Sequence, residues 1–177
     1  GEQWYYSVAV DIQGYIVQKL AGMSYGDFLE QHIFGPLGMT DTRFFVTEED
    51  QSRFAEVHNW DSERNRLVQR PPRKDRPNYL DANRLESGGG GLVSSIHDYA
   101  RFLQMLVNEG TLEGTKILTP ESVRIMRTNS LRDELDIRGG PDRPGQAGVG
   151  FGVDFAVIYD PELAKSVQGP GTYYWSG

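Results

Sequence analysis

The chain has 177 residues, of which 38% are hydrophobic and 24% charged, a composition that supports one domain with an apolar core and excludes a disordered tail. Its 18 Lys and Arg against 25 Asp and Glu leave a formal net charge of -7, which argues against a general nucleic-acid or anionic-membrane partner. The absence of cysteine excludes disulfides, thiolate chemistry and Cys-ligated zinc, and no run approaches the roughly 18 to 20 apolar residues of a membrane span.

The first helix is expected over residues 8–21. Val10, Gly14, Val17 and Ala21 recur on one face, Ile12, Ile16 and Leu20 form a neighbouring stripe, and Gly22 supplies the stop. Ser24 caps a second helix, with Asp27 in capping-box position and Tyr25, Phe28, Leu29 and Ile33 at helical spacing. Gly35, Pro36 and Gly38 are expected to break that period from Phe34 onward.

Residues 61–86 carry 12 charged side chains and three prolines and read as an exposed, solvated excursion. The run Gly88, Gly89, Gly90 and Gly91 predicts close backbone approach or unusual dihedrals, because glycine gives up the most conformational freedom on folding. It lacks the Lys-Ser/Thr of a phosphate loop. Ser95 then caps a helix whose apolar face is read as Tyr99, Phe102, Leu103, Leu106 and Val107, ending by Gly110. Thr119 and Pro120 open a short helix that carries Val123 and Met126 inward.

Residues 132–148, rich in Gly and Pro, read as a long crossing at the surface or along a pocket wall. Phe151, Val153, Phe155, Val157 and Tyr159 alternate across nine positions, the period of one half-buried strand. Asp160 and Pro161 end it, and Tyr173 to Trp175 is expected to begin its antiparallel partner. Helices followed by sheet make the fold class α+β. Both ends of the chain read as cut, so 1–177 is expected to be part of a domain.

Composition and spacing do not reach a chemistry. His32, His58 and His97 lack the spacing of a zinc helix, so no metal or other cofactor is expected, and the scattered carboxylates define no facing pair.

Five pieces in order carry a resemblance: Trp4-Tyr5-Tyr6-Ser7-Val8 before an apolar helix; Pro36-Leu37-Gly38-Met39-Thr40-Asp41-Thr42; Glu86-Ser87 with the four glycines and Leu92-Val93-Ser94-Ser95; the helix from Asp98 to Leu103; and Trp175-Ser176-Gly177. Together they resemble the serine beta-lactamase and penicillin-binding-protein superfamily, nearest in pattern to family VIII carboxylesterases and class C beta-lactamases. The resemblance implies a beta-lactamase/transpeptidase-like fold, with a helical region and part of an antiparallel sheet. It implies that Tyr6 is the tyrosine that helps move the proton, with Ser7 and Val8 completing the second motif, and that Trp175, Ser176 and Gly177 are the third motif beside the substrate.

Two departures from the family pattern bear on substrate. Trp175 stands where many beta-lactam-reactive members have lysine, removing a cation and offering an apolar wall, and Val8 replaces the motif's asparagine. Both favour a short-chain ester or similar acyl donor over a peptide or beta-lactam. The family's Ser-x-x-Lys pair, the nucleophile and its lysine, is absent from the chain. It is expected before Gly1 or on a complementary chain, and the isolated segment is expected to be inactive. A beta-lactamase or D-aminopeptidase, and a noncatalytic interaction module, are the competing readings.

Overall fold

The computed structural model describes Trp4, residues 7–70, residues 78–132, Leu135 and residues 146–175. Helix α1 spans Ala9–Ala21 and ends as expected at Gly22, whose φ of 68° is left-handed. Gly14 is its buried residue, while Ile12, Ile16 and Leu20 remain exposed. The two stripes read from the sequence therefore have opposite fates, since the small-residue face packs and the larger one meets solvent.

Helix α2 spans Tyr25–Leu29, and the Ser24 hydroxyl accepts the Asp27 N–H at 3.0 Å. The expected break at Phe34 does not occur. Instead the chain widens into a π turn over Glu30–Phe34 and re-enters α-helix as α3, Gly35–Leu37, before Gly38 stops it at φ 65°. The cause is Pro36, which has no N–H to donate and whose ring would collide with a carbonyl one turn back. The Gly35 N–H reaches Glu30 O, five residues back, which lets the helix pass the proline rather than end at it. This path buries Leu29, Phe34, Leu37 and Met39 against Phe44.

The first part of the charged excursion is a hairpin. Strands β1, His58–Asp61, and β2, Arg66–Gln69, form an exposed antiparallel hairpin with Asp61 paired to Arg66. Its far end turns inward. Arg84 Nη1 donates to the carbonyls of Phe44 (2.9 Å) and Gly91 (3.0 Å), and the guanidinium lies 4.1 Å from the Tyr79 ring centroid. Glu86 accepts the Gly26 N–H at 2.8 Å, a carboxylate placed on an unpaired donor of the first turn of α2.

Helix α4, Ile96–Val107, is capped as predicted, with Ser95 Oγ accepting the Asp98 N–H at 3.2 Å. Its buried face differs from the expectation. Asp98, Met105 and Leu106 are buried, with Phe102 half-buried against the same core, whereas Tyr99, Leu103 and Val107 are exposed together with Ile96. The buried face lies one step round the helix from the apolar stripe because Asp98 is an inward residue. Its carboxylate is 1% exposed and accepts from Asp41 N at 2.7 Å and Thr42 Oγ1 at 2.8 Å. Thr42 Oγ1 is also 2.7 Å from Ser94 Oγ. The Thr40-Asp41-Thr42 turn is thereby fixed to α4, as buried polar groups require.

Strands β3, Thr111–Leu112, and β4, Thr115–Lys116, form a short hairpin after α4. Helix α5, Pro120–Met126, follows with Thr119 accepting the Ser122 N–H at 3.0 Å and Val123 buried. The nine-residue strand is corrected to a hairpin. Strands β5, Val149–Phe151, and β6, Ala156–Ile158, pair antiparallel with Phe151 opposite Ala156. Gly152 N–H donates to Phe155 O at 2.8 Å, and Asp154 has a φ of 62°. Alternation continued across this tight turn and hid it. All three β6 residues are buried, so the strand is covered on both faces. Strand β7, Tyr173–Tyr174, pairs with β6 as expected, in the order β5-β6-β7. No helix among the described residues is long and apolar enough to cross a membrane. The architecture is α+β.

Candidate active site

Strand β7 leads directly into Trp175, and Trp4 lies two residues before Tyr6 in sequence. The fold brings these two tryptophans together, with ring centroids 6.4 Å apart at an interplanar angle of 66°. Phe151 on β5 completes the cluster, 5.1 Å from Trp4 and 5.4 Å from Trp175, nearly perpendicular to the latter. Such tilted and edge-on pairs suit the ring quadrupoles. Phe151 is itself held by Asn129, whose Oδ1 accepts the N–H groups of Leu131 at 3.0 Å and Phe151 at 3.1 Å. The neighbouring Gly150 leaves the space that Asn129 occupies, since a Cβ there would fall 2.1 Å from Oδ1.

Trp4, just before the expected second motif, and Trp175, the first residue of the expected third, thus meet in one aromatic wall. Tyr6, Ser176 and Gly177, on which the proton-transfer and third-motif expectations fall, lie outside the described residues. Ser7 and Val8 are exposed. Ser7 Oγ accepts the Ala9 N–H at 3.2 Å at the start of α1, and Val8 occupies the position before the helix without a side-chain cap.

The glycine run packs against α1. A Cβ at Gly88 would fall 2.1 Å from Val10 O and 3.0 Å from Gly14 N, so only glycine admits this approach. Gly90 and Gly91 have φ of 157° and 93°, and both kinds of demand read from the sequence are present. Beside the run, Ser87 Oγ donates to the Asp11 carboxylate. The contacts of Asp11, Ser87, Asn129 and Phe151 are not legible in the sequence. Ser87 immediately before the glycines was the available local signal, whereas Asn129 has meaning only after β5 is placed.

Tyr25 is the phenol that the described structure characterises electrostatically. Burial, and then the negative charge of Asp154, hold its hydroxyl above the ordinary 10.0, so it remains protonated and packs 5.9 Å from the Phe44 ring. An open cavity of about 380 Å³ is lined by Asp27, Glu30, Arg43, Phe44 and Glu86 among others. It shares no lining residue with the Trp4–Phe151–Trp175 wall. Among the described residues no group of three or more metal-ligating side chains could hold an ion.

Comparison with known proteins bears on the family and the fold. The family model described as Beta-lactamase matches residues 1–177. Protein Rv1367c of Mycobacterium tuberculosis (strain ATCC 25618 / H37Rv) is 38% identical over 183 residues, covering 100% of this chain and 44% of that protein. Esterase EstB of Burkholderia gladioli is 29% identical over 190 residues, covering 100% of this chain and 45% of its own length. The structure titled "EstCE1, a hydrolase with promiscuous acyltransferase activity" superposes with a TM-score of 0.73 at 24% identity, over 96% of this chain and 44% of that one, and shares the fold. The chain spans less than half the length of these curated relatives. With a family match that runs from the first residue to the last and a shared α+β architecture, the chain belongs to the beta-lactamase family.

Proposed function

We propose that this chain is part of a longer serine hydrolase that cleaves short-chain carboxylic esters through an acyl-enzyme. The observation that carries the reading is the Trp4–Phe151–Trp175 wall. At the third motif the chain offers an indole in an apolar cluster where a beta-lactam-reactive site would offer a cation to a substrate carboxylate. Neutral acyl groups gain from such a surface, while an anionic ligand would lose hydration with no charge to replace it. The 29% identity to an esterase, EstB, supports the same assignment.

In this reading a serine outside the 177 residues attacks the ester carbonyl, and its proton passes through Tyr6 and a lysine that also lies outside them. The tetrahedral intermediate expels the alcohol, which takes up a proton, and leaves the acyl group on the serine. Water then attacks the acyl-enzyme, releasing the acid and returning the proton to the serine. A phenolate at Tyr6 requires a neighbouring cation or hydrogen bonds, because an unperturbed phenol titrates near 10.

The test uses the full-length protein with p-nitrophenyl butyrate, nitrocefin and a D-amino-acid p-nitroanilide. The ester is expected to be turned over fastest, and Tyr6→Phe to lower kcat by about a hundredfold or more. Preferential turnover of nitrocefin or the amide overturns the substrate assignment in favour of the beta-lactamase or D-aminopeptidase reading. Failure of a fluorophosphonate probe to label the protein overturns the enzymatic one in favour of an interaction module.

A further inference from the structure

We propose that Asp11 and Ser87 are a positioning pair that fixes the rotational and axial setting of α1, the helix that follows Tyr6 in sequence. The proposal rests on the reading of Tyr6 as the proton-transfer residue.

The contact between α1 and the glycine turn is otherwise smooth. Gly14 and Gly88 meet backbone to backbone, so that a Cβ on Gly14 would lie 2.9 Å from Gly88 Cα. Two glycine surfaces have no side chains to interlock with each other, so this close approach is held by shape, beside the Tyr25 ring whose Cε1 would lie 3.2 Å from a Cβ on Gly14. The outer stripe of α1 gives no further restraint, since Ile12, Ile16 and Leu20 face solvent in the described structure. At the helix start the Ser7 hydroxyl accepts the Ala9 N–H, a bond within the segment that ties α1 to no other element.

A directional bond supplies what the smooth contact lacks. Ser87 Oγ donates to Asp11 Oδ1 across 76 positions of sequence, and the Gly89 N–H donates to Ser87 Oγ at 3.0 Å. Oδ2 of the same carboxylate lies where a Cβ on Gly89 would come within 2.8 Å. The carboxylate therefore lies against the glycine turn, bonded to it through Oδ1. Among the described residues this is the side-chain hydrogen bond that ties α1 to another element. Asp11 lies in the first turn of α1, five positions after Tyr6, and Trp4 on the other side of Tyr6 is held against Phe151 and Trp175. Tyr6 is thus bracketed in sequence by one polar and one aromatic anchor. A proton-transfer group must lie within hydrogen-bond reach of its partner, and a displacement of about 1 Å can lower a rate a hundredfold.

The experiment uses the full-length protein in a Trp60→Phe background, which leaves Trp4 and Trp175 as the tryptophans of this segment. Asp11→Ala and Ser87→Ala are expected to lower kcat for p-nitrophenyl butyrate about tenfold or more while KM changes less than twofold. The basic limb of kcat/KM against pH is expected to move in both, as is the near-ultraviolet circular dichroism of the tryptophans. Asp11→Asn, whose side-chain carbonyl accepts the same Ser87 bond, should recover most of all three. Unchanged kcat, pH limb and spectrum in Ser87→Ala, which removes one hydroxyl and leaves the fold, would overturn the proposal. So would an Asp11→Asn variant as impaired as Asp11→Ala. If Tyr6→Phe retains full turnover, the catalytic reading of Tyr6 fails on its own. The tryptophan spectrum then decides whether the pair sets α1, and an unchanged spectrum overturns that as well.

Discussion

Replacing Asp98 by alanine tests whether one buried carboxylate holds the Thr40-Asp41-Thr42 turn to α4. The side chain is 1% exposed and accepts two hydrogen bonds, from Asp41 N at 2.7 Å and Thr42 Oγ1 at 2.8 Å. Hydrogen bonds to a charged group contribute about 1.5–3 kcal/mol each, and loss of the carboxylate at the third position of α4 removes a further fraction of a kcal/mol from its interaction with the helix dipole. Against this, the alanine variant no longer has to bury a charge, an offset of several kcal/mol before pairing. The balance predicts a net loss of about 3 kcal/mol, because the Asp41 N–H loses its acceptor and Thr42 keeps only Ser94. With a denaturant slope of about 2 kcal/mol per molar in urea, the midpoint followed by far-ultraviolet circular dichroism should fall by about 1.5 M. Asp98→Asn keeps an acceptor oxygen and should lose less than half as much. A fall below about 0.5 M for Asp98→Ala, or an equal fall for Asp98→Asn, would refute the account, because the carboxylate's two bonds would then not be what holds the turn.

Acid stability should report on Arg53, which hydrogen-bonds first and foremost to both Asp41 and Asp50 and holds each carboxyl below its ordinary 3.8. A depressed folded-state value gives stability that is full above about 3.8 and is lost as pH falls through the depressed value. The gap between wild type and Arg53→Gln should therefore be constant above pH 5 and close below 3.8, with Asp41 titrating nearer 3.8 in the variant by NMR; an unmoved Asp41 titration would sink this. Gly152→Ala should destabilise by a few kcal/mol or abolish folding, because its Cβ would fall 1.9 Å from the Met126 carbonyl. Gly169→Ala, with nothing within 4 Å, should stay within about 0.5 kcal/mol by denaturant titration, and equal effects would contradict the packing. Finally, residues 1–177 expressed alone should bind a hydrophobic dye through Ile12, Ile16 and Leu20 on α1 and Ile96, Tyr99, Leu103 and Val107 on α4. Paired Ile16→Glu and Leu103→Lys changes should reduce the signal at least twofold, and absence of dye binding would show those stripes covered.

The sequence by itself determined the elements whose signals are local. Ser24, Ser95 and Thr119 cap the helices they precede, and Gly22 stops α1 in left-handed conformation. Each depends on atoms within four residues, so spacing suffices to read it. The ordered motifs likewise carried the family, which the match over residues 1–177 shows. Tertiary structure decided the rest. It carried the helix past Pro36 by a π turn, folded the alternating run into β5 and β6 around Asp154, and turned Asp98 inward to serve Asp41 and Thr42. It also brought Trp4 to Trp175 and Ser87 to Asp11. Those contacts join residues 76 or more positions apart, and no period or cap encodes them. They arise when separate elements bury their surfaces together and their remaining polar groups must find partners in the same space.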